Sequence, residues 1–149
     1  MGMKVFLSCA FANETDPNTG ELLLEHRSFL QYIVDKLRES GHEVYSALES
    51  GSWRPDEVVP EIGVMQDIDQ LKEAEVVIAI VHDRPSAGVE FELGYAAALE
   101  KPVILARETG SRLSYFNYGA VGAGLVTLIT FDNVGKLTDQ LLVALVTAD

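Results

Sequence analysis

One stretch of the chain, residues 76–102, restricts the available folds more than any other. It begins with six consecutive aliphatic residues, passes through a polar turn that contains Pro85, Ser86 and Gly88, and ends in a helix-like run of small residues. A buried strand followed by a tight turn and a helix is the repeating unit of parallel α/β sheets. Because the first N–H groups of such a helix lack internal partners, an anion is predicted to bind near Ser86 and Gly88.

Short apolar strands alternate with helices along the whole sequence. Strands are predicted at residues 4–11, 42–47, 76–81, 102–106 and 125–131. Helices are predicted at residues 21–40, 61–75, from about 87, and at 134–146, with residues 48–60 as a loop and 109–124 as a loop or broken helix. This pattern predicts a flavodoxin-like (Rossmann-like) α/β fold, with a five-stranded parallel sheet in the order 2-1-3-4-5 and helices on both faces. In that order a ligand binds between residues 8–13, beginning at Ser8, and residues 82–88.

Composition limits the partners and the compartment. The 149 residues, 48% of them hydrophobic, are expected to form one domain over residues 1–149. A formal net charge of −12 disfavours a nucleic acid polymer or an anionic membrane as a partner. The single cysteine and an N-terminus without signal-peptide features predict a cytoplasmic protein. Three histidines and one cysteine form no metal-ligand pattern, so neither a metal nor a cofactor is expected.

The acidic residues suggest chemistry at a sugar. Glu92 lies about one turn into the helix after the central strand, where the helix dipole favours a carboxylate. A positioned carboxylate can attack an anomeric carbon if a second acid protonates the leaving group, and Asp67 or Asp69 could supply that acid. Each residue also has a purely structural alternative: acidic residues are ordinary in a first helical turn, Ser86 could only cap the helix, and Trp53 could cover an edge of the core.

Three segments together resemble the nucleoside 2-deoxyribosyltransferase family, and more closely its branches that hydrolyse the N-glycosidic bond of nucleoside 5′-monophosphates. They are KVFLSCAF followed by DPNTG, the acidic run QDIDQLKEAEVVIA at its distance from Trp53, and SAGVEFELGYAAALEKPVI, which is the most specific. The resemblance implies that Glu92, which precedes a Leu-Gly pair, is the nucleophile and that Asp67 is a catalytic or nucleophile-orienting group. It also implies that Ser86, six residues before Glu92, binds phosphate.

Further site residues follow from the same resemblance. Phe11 matches an aromatic residue that packs on the base in the CMP-type enzymes. Ala12 stands where some of those enzymes carry an arginine that reads a hydroxymethyl group, so hydroxymethyl-CMP is not the expected substrate. The segment LSYFNYGA is similar to one that reaches a neighbouring subunit, which makes Ser114 a second phosphate ligand and Asn117 another candidate. The active unit would then be a homodimer or larger homo-oligomer with shared sites.

The leading hypothesis is hydrolysis of the N-glycosidic bond of a pyrimidine nucleoside 5′-monophosphate through a covalent glycosyl-Glu92 intermediate. One alternative is a transferase that exchanges bases on 2-deoxyribose through the same intermediate. Another is a non-catalytic nucleotide-binding module, because flavodoxin-like folds carry many functions. A nicotinamide-nucleotide hydrolase would use similar chemistry. The sequence leaves open the base and the choice between ribose and deoxyribose.

Overall fold

A five-stranded parallel sheet lies at the centre of the computed structural model, which describes residues 2–10 and 14–148. The strands are β1 (Lys4–Cys9), β2 (Glu43–Ser46), β3 (Val76–Val81), β4 (Val103–Glu108) and β5 (Thr127–Phe131). They pair in the order β2-β1-β3-β4-β5, and every pairing is parallel. The predicted flavodoxin-like fold and strand order are therefore confirmed.

Helices follow the strands in alternation. They are α1 (Leu24–Glu39), α2 (Ala47–Ser50), α3 (Pro60–Glu73), α4 (Ala87–Ala98), α5 (Tyr115–Gly122) and α6 (Val134–Thr147), with a single 3₁₀ turn at Pro55–Glu57. The prediction of a plain loop at residues 48–60 was wrong, since α2 extends into this range and the 3₁₀ turn lies within it. Ser46 caps α2 by accepting a hydrogen bond from the Glu49 N–H at 3.5 Å. No helix in the described part of the chain is long and apolar enough to cross a membrane.

The sheet buries both of its faces, as the sequence of β3 requires. All six residues of this central strand are buried, and alternate side chains enter opposite layers of the core. Ile78 and Ile80 pack in the layer that contains residues of α1 and α6. Val77 and Ala79 pack in the layer that contains residues of α3 and α4. Helices on both faces thus account for an uninterrupted aliphatic strand.

The first half of α3 does not pack on the sheet, although its apolar spacing predicts that it should. Ile62 and Met65 are 65% and 55% exposed, whereas Leu71 in the last turn is fully buried. Leu24, at the start of α1, is likewise exposed rather than buried. Because α3 contacts the core mainly through its second half, space remains between its first half and the sheet.

Candidate active site

A cavity with a volume of about 450 Å³ occupies this space, and we call it the large cavity. It opens beside the carboxyl ends of β1 and β2, and α3 and α4 form its other walls. Its polar side chains are Ser8, Tyr45, Ser46, Gln66, Asp67 and Glu92. The rest of its lining is formed by Leu7, Cys9, Ala47, Leu48, Gly51, Pro55, Val58, Pro60, Gly63, Val64, Ile68, Leu71, Gly88 and Phe91. A few polar groups that converge within an apolar wall are typical of a small-molecule site.

Glu92, in the second turn of α4, presents its carboxyl group to the large cavity. Burial raises the pKa of Glu92 to about 7; the Ser8 hydroxyl lowers this pKa, and the nearby negative charge of Asp67 raises it further. Within the described part of the chain, neither Glu92 Oε2 nor Ser8 Oγ has a hydrogen-bond partner of good geometry, although both atoms are buried. Buried polar atoms without partners, together with a strongly raised carboxyl pKa, are characteristic of functional sites.

Asp67 lines the same cavity from α3. Its Oδ1 atom accepts a hydrogen bond from Tyr45 Oη at 2.9 Å. Burial raises the pKa of Asp67, and the Tyr45 hydrogen bond acts in the opposite direction. The cavity therefore holds two carboxyl groups in unlike surroundings, an arrangement that suits one for nucleophilic attack and the other for proton transfer.

The N-terminus of α4 separates the large cavity from a second one of about 150 Å³, the small cavity. Gly88 lines the large cavity, whereas Ser86 and Ala87 line the small one. Ser86 precedes the first residue of α4, but its hydroxyl makes no capping hydrogen bond to the helix. A Cβ atom at Gly88 would lie 3.9 Å from Ser86 Oγ, an ordinary van der Waals distance, so Gly88 lies directly beside this hydroxyl. The arrangement suits an anion at the helix N-terminus.

Cys9, at the end of β1, also lines the large cavity. Its Sγ atom lies 3.7 Å from Nε2 of His26, a geometry that could activate a thiol. Burial raises the pKa of Cys9, however, and the Glu14 charge adds to the rise. Burial also lowers the pKa of His26 to about 4, with a further contribution from His82. A protonated thiol beside a neutral imidazole is a poor nucleophile, so Glu92 is the better candidate.

Two further predicted substrate contacts lie outside both cavity linings. Asp69 is on α3 but is exposed to solvent. Trp53 is 7% exposed and packs in the core, where the Arg27 guanidinium lies 5.3 Å from the centre of its ring. Phe11, predicted to pack on the base, lies outside the described residues. Of the two aspartates that the sequence offered as the acid, the structure brings only Asp67 to the cavity with Glu92.

Ser114 and Asn117 also lie away from the linings of both cavities within this chain. Ser114 caps α5 by accepting a hydrogen bond from the Asn117 N–H at 3.0 Å. Asn117 is buried, and its Nδ2 atom donates to Glu90 Oε1 at 2.9 Å. This contact ties α5 to α4 two residues before Glu92.

Sequence reasoning did not single out Tyr45 or Gln66, although both line the large cavity. A hydroxyl-bearing aromatic residue near the carboxyl end of β2 was a usable signal, because that end of a parallel sheet carries the site. The hydrogen-bond partner of Tyr45 could not be predicted from the sequence, because it depends on which side of α3 faces the sheet.

Comparisons with known proteins bear on what this site does. The family profile described as nucleoside 2-deoxyribosyltransferase matches residues 22–138. No curated protein sequence matches the chain. The solution structure of BlsM is 25% identical, with a TM-score of 0.75, and covers 93% of this chain and 86% of its own.

Two further solved structures share the fold. A CMP N-glycosidase, BcmB, from Clostridium botulinum is 22% identical, with a TM-score of 0.67 and coverage of 93% of this chain and 97% of its own. A 2-deoxyribosyltransferase from Bacillus psychrosaccharolyticus is also 22% identical, with a TM-score of 0.58 and coverage of 91% and 90%. Since the family profile spans most of the sequence, the chain belongs to the nucleoside 2-deoxyribosyltransferase family and is an enzyme.

Proposed function

We propose that the protein hydrolyses the N-glycosidic bond of a pyrimidine nucleoside 5′-monophosphate through a covalent glycosyl-Glu92 intermediate. Family membership supports glycosyl transfer or hydrolysis in general. The observation that carries the proposal is the placement of Glu92 and Asp67 in one cavity, where burial raises the pKa of both carboxyl groups. The negative charge of Asp67 favours the protonated form of Glu92. In the free enzyme these shifts favour the shared proton on Glu92, so the reactive form, with Glu92 ionised and Asp67 protonated, is the minor distribution of one proton between the two groups.

In the first step Glu92 attacks C1′ of the sugar as a carboxylate. The bond between C1′ and the base nitrogen breaks, its electron pair moves to the base, and Asp67 supplies a proton to the departing base. The negative charge of Glu92 stabilises the oxocarbenium-like transition state before the ester bond forms. The products of this step are free base, a glycosyl ester on Glu92 and an ionised Asp67.

In the second step a water molecule attacks C1′ of the ester. Asp67, now a carboxylate, takes a proton from this water, and the electron pair of the C1′–O bond returns to Glu92. The sugar 5-phosphate leaves, Glu92 is again a carboxylate and Asp67 is again protonated. The cycle therefore closes without a metal ion or cofactor.

The α4 N-terminus supports a phosphorylated substrate. Ser86 offers a hydroxyl that does not cap the helix, and the backbone N–H groups of the first turn carry the positive end of the helix dipole. Gly88 places this terminus at the wall of the cavity that contains Glu92. These features favour a nucleoside monophosphate over the unphosphorylated nucleosides of a transferase, and the fold shared with a CMP N-glycosidase favours a pyrimidine base.

We also propose that the enzyme is a homodimer or larger homo-oligomer that associates through α5. Tyr115, Phe116 and Tyr118 are 86%, 78% and 59% exposed and form an aromatic surface on this helix. Exposed aromatic patches of this kind mark protein interfaces. Ser114 lies at the start of the same helix, so association there would carry its hydroxyl toward a neighbouring site.

The proposed reaction is tested by base release from a panel of ribo- and deoxyribonucleoside 5′-monophosphates and the matching nucleosides. We expect release from a pyrimidine monophosphate, and a loss of at least about 1,000-fold in kcat for Glu92→Gln because the nucleophile is gone. Asp67→Asn should lose about 100-fold or more, the usual contribution of a positioned acid. Asp69→Asn, which changes an exposed side chain outside the cavity, should keep its activity.

The matched control is Glu61→Gln, an exposed glutamate in the first turn of α3. Formation of a new nucleoside only when a second base is added would identify a transferase. Nucleotide binding without turnover would identify a binding module. Full turnover by Glu92→Gln would refute the assignment of the nucleophile.

A further inference from the structure

Tyr45 makes the one hydrogen bond to the Asp67 carboxyl group in the described part of the chain. Tyr45 Oη donates to Asp67 Oδ1 at 2.9 Å, which leaves Oδ2 without a protein donor among the same residues. A carboxyl group with one oxygen already accepting a hydrogen bond can carry its acidic proton on the other oxygen without breaking that bond. The arrangement therefore distinguishes two oxygens that would otherwise be equivalent.

The Tyr45 ring is held by the sheet. Tyr45 lies opposite Phe6 in the parallel register of β1 and β2, and the centres of the two rings are 5.4 Å apart. Phe6 is only 1% exposed, so it offers a rigid surface to the tyrosine ring. The hydroxyl group is thus fixed by the strand, while Asp67 lies at the middle of α3, where the packed second half of this helix begins.

A second polar side chain influences the same hydroxyl. The Ser50 hydroxyl lies beside Tyr45 Oη and lowers its pKa, while burial and the Asp67 hydrogen bond raise this pKa more strongly. Gln66 Nε2 donates in turn to Ser50 Oγ at 3.2 Å. Because the phenol stays protonated at ordinary pH, it acts as a permanent donor to Asp67.

We propose that Tyr45 is a positioning residue: it holds Asp67 so that Oδ2 carries the proton delivered to the leaving base. The proposal rests on the proposed function of Asp67 as the acid. Without the Tyr45 hydroxyl the carboxyl group can rotate, and its proton can sit on either oxygen. Proton transfer then begins from the correct arrangement only part of the time, and a small misplacement of a catalytic group lowers kcat strongly.

The test is Tyr45→Phe, which removes the hydroxyl and keeps the ring against Phe6. Two substrates are compared: the nucleoside monophosphate found in the panel, and a nitrophenyl glycoside 5-phosphate whose leaving group departs without a proton. We expect kcat on the nucleotide to fall about 10- to 100-fold with KM changed less than about 3-fold, because one positioning contact to a general acid is lost. On the nitrophenyl substrate we expect less than about a 3-fold change, because no proton transfer is needed.

Two further variants separate positioning from a general structural effect. Tyr32→Phe, on the half-exposed side of α1, is the matched control and should leave both rates unchanged. In an Asp67→Asn background, Tyr45→Phe should cause no additional loss, since residues that act as a unit are not additive. Equal losses on both substrates, or an additive loss in the double variant, would overturn the proposal.

A readout independent of turnover is the carboxyl carbon-13 NMR titration of protein labelled at aspartate. The Asp67 signal is assigned by its disappearance in Asp67→Asn. Because Tyr45 stabilises the ionised form, Tyr45→Phe should move the midpoint of this signal to higher pH. If the wild-type enzyme releases no base from any substrate, the proposed function fails, yet the titration still decides whether Tyr45 holds Asp67. An unchanged midpoint would refute the positioning role.

Discussion

Replacing Glu92 by glutamine is expected to stabilise the protein at alkaline pH while it abolishes activity. The substitution keeps the shape of the side chain and removes a charge that burial disfavours. Raising the pKa of Glu92 from 4.5 to about 7 corresponds to about 3 kcal/mol, because each pKa unit is about 1.4 kcal/mol. Natural active sites commonly lose stability in this way to keep a reactive group.

The pH window follows from the direction of the shift. Below pH 4.5 Glu92 is protonated in both the folded and the unfolded chain, so its ionisation does not affect folding. Between pH 4.5 and about 7 the folded protein binds the additional proton, and the stability of the wild type falls as the pH rises. Above about pH 7 the carboxylate is ionised in both states, and the whole destabilisation of about 3 kcal/mol is present.

The assay is urea unfolding of wild type and Glu92→Gln at pH 4.5, 6 and 8.5. We expect the difference in the free energy of unfolding to be about 3 kcal/mol larger at pH 8.5 than at pH 4.5, with similar m-values. Thermal unfolding should show a corresponding difference in Tm of about 6–12 °C for a chain of this size. Titrating groups that do not interact with Glu92, such as His26, act equally in both proteins, so their effects cancel in the comparison.

Glu61→Gln provides the baseline, because it makes the same chemical change at a glutamate that is exposed to solvent. A constant difference between wild type and Glu92→Gln at all three pH values would show that the substitution acts through packing. Equal free energies of unfolding for the two proteins at pH 8.5 would show that the surroundings of Glu92 do not destabilise its charged form. Either result would refute the reasoning from burial.

Two other predictions follow from the site and its surroundings. The alkaline limb of kcat/KM should have its midpoint near pH 7, because the reactive form holds one proton between Glu92 and Asp67 and this proton is lost as Glu92 ionises; a constant kcat/KM through and above pH 7 would contradict the shared proton. The double substitution Tyr115→Ser with Phe116→Ser removes the most exposed aromatic side chains of the proposed interface. It should therefore shift the enzyme toward monomers in analytical ultracentrifugation and lower its affinity for nucleotide at least about 10-fold. An unchanged mass would exclude α5 as the interface.

Much of the fold could be predicted from the sequence because its strands are local and strongly apolar. The six residues of β3 carry no polar side chain, so only a strand buried on both faces accommodates them. Gly41, with a φ of +93°, marks the end of α1 as expected for a residue that follows a helix. The exposed positions of Ile62 and Met65 were not predictable, because spacing shows which residues share a helix face but not what covers it.

The candidate site could be predicted only in part, for a similar reason. The sequence marked Glu92, Asp67 and Ser86, and the structure places all three at the two cavities beside the α4 N-terminus. Tyr45 was missed because its hydrogen bond joins residues 22 positions apart on different elements. The choice between Asp67 and Asp69 likewise depends on which side of α3 faces the sheet, and this is decided by tertiary packing.

The burial of Trp53 gives this enzyme a built-in optical probe. Trp53 is the single tryptophan of the chain, and its backbone N–H donates to the carbonyl of Leu48, which lines the large cavity, at 2.8 Å. The guanidinium of Arg27 lies over the indole ring. Fluorescence excited at a wavelength that only tryptophan absorbs therefore arises from this one residue. A change in emission upon nucleotide addition would report movement of residues 47–60 in real time, without any label attached to the protein.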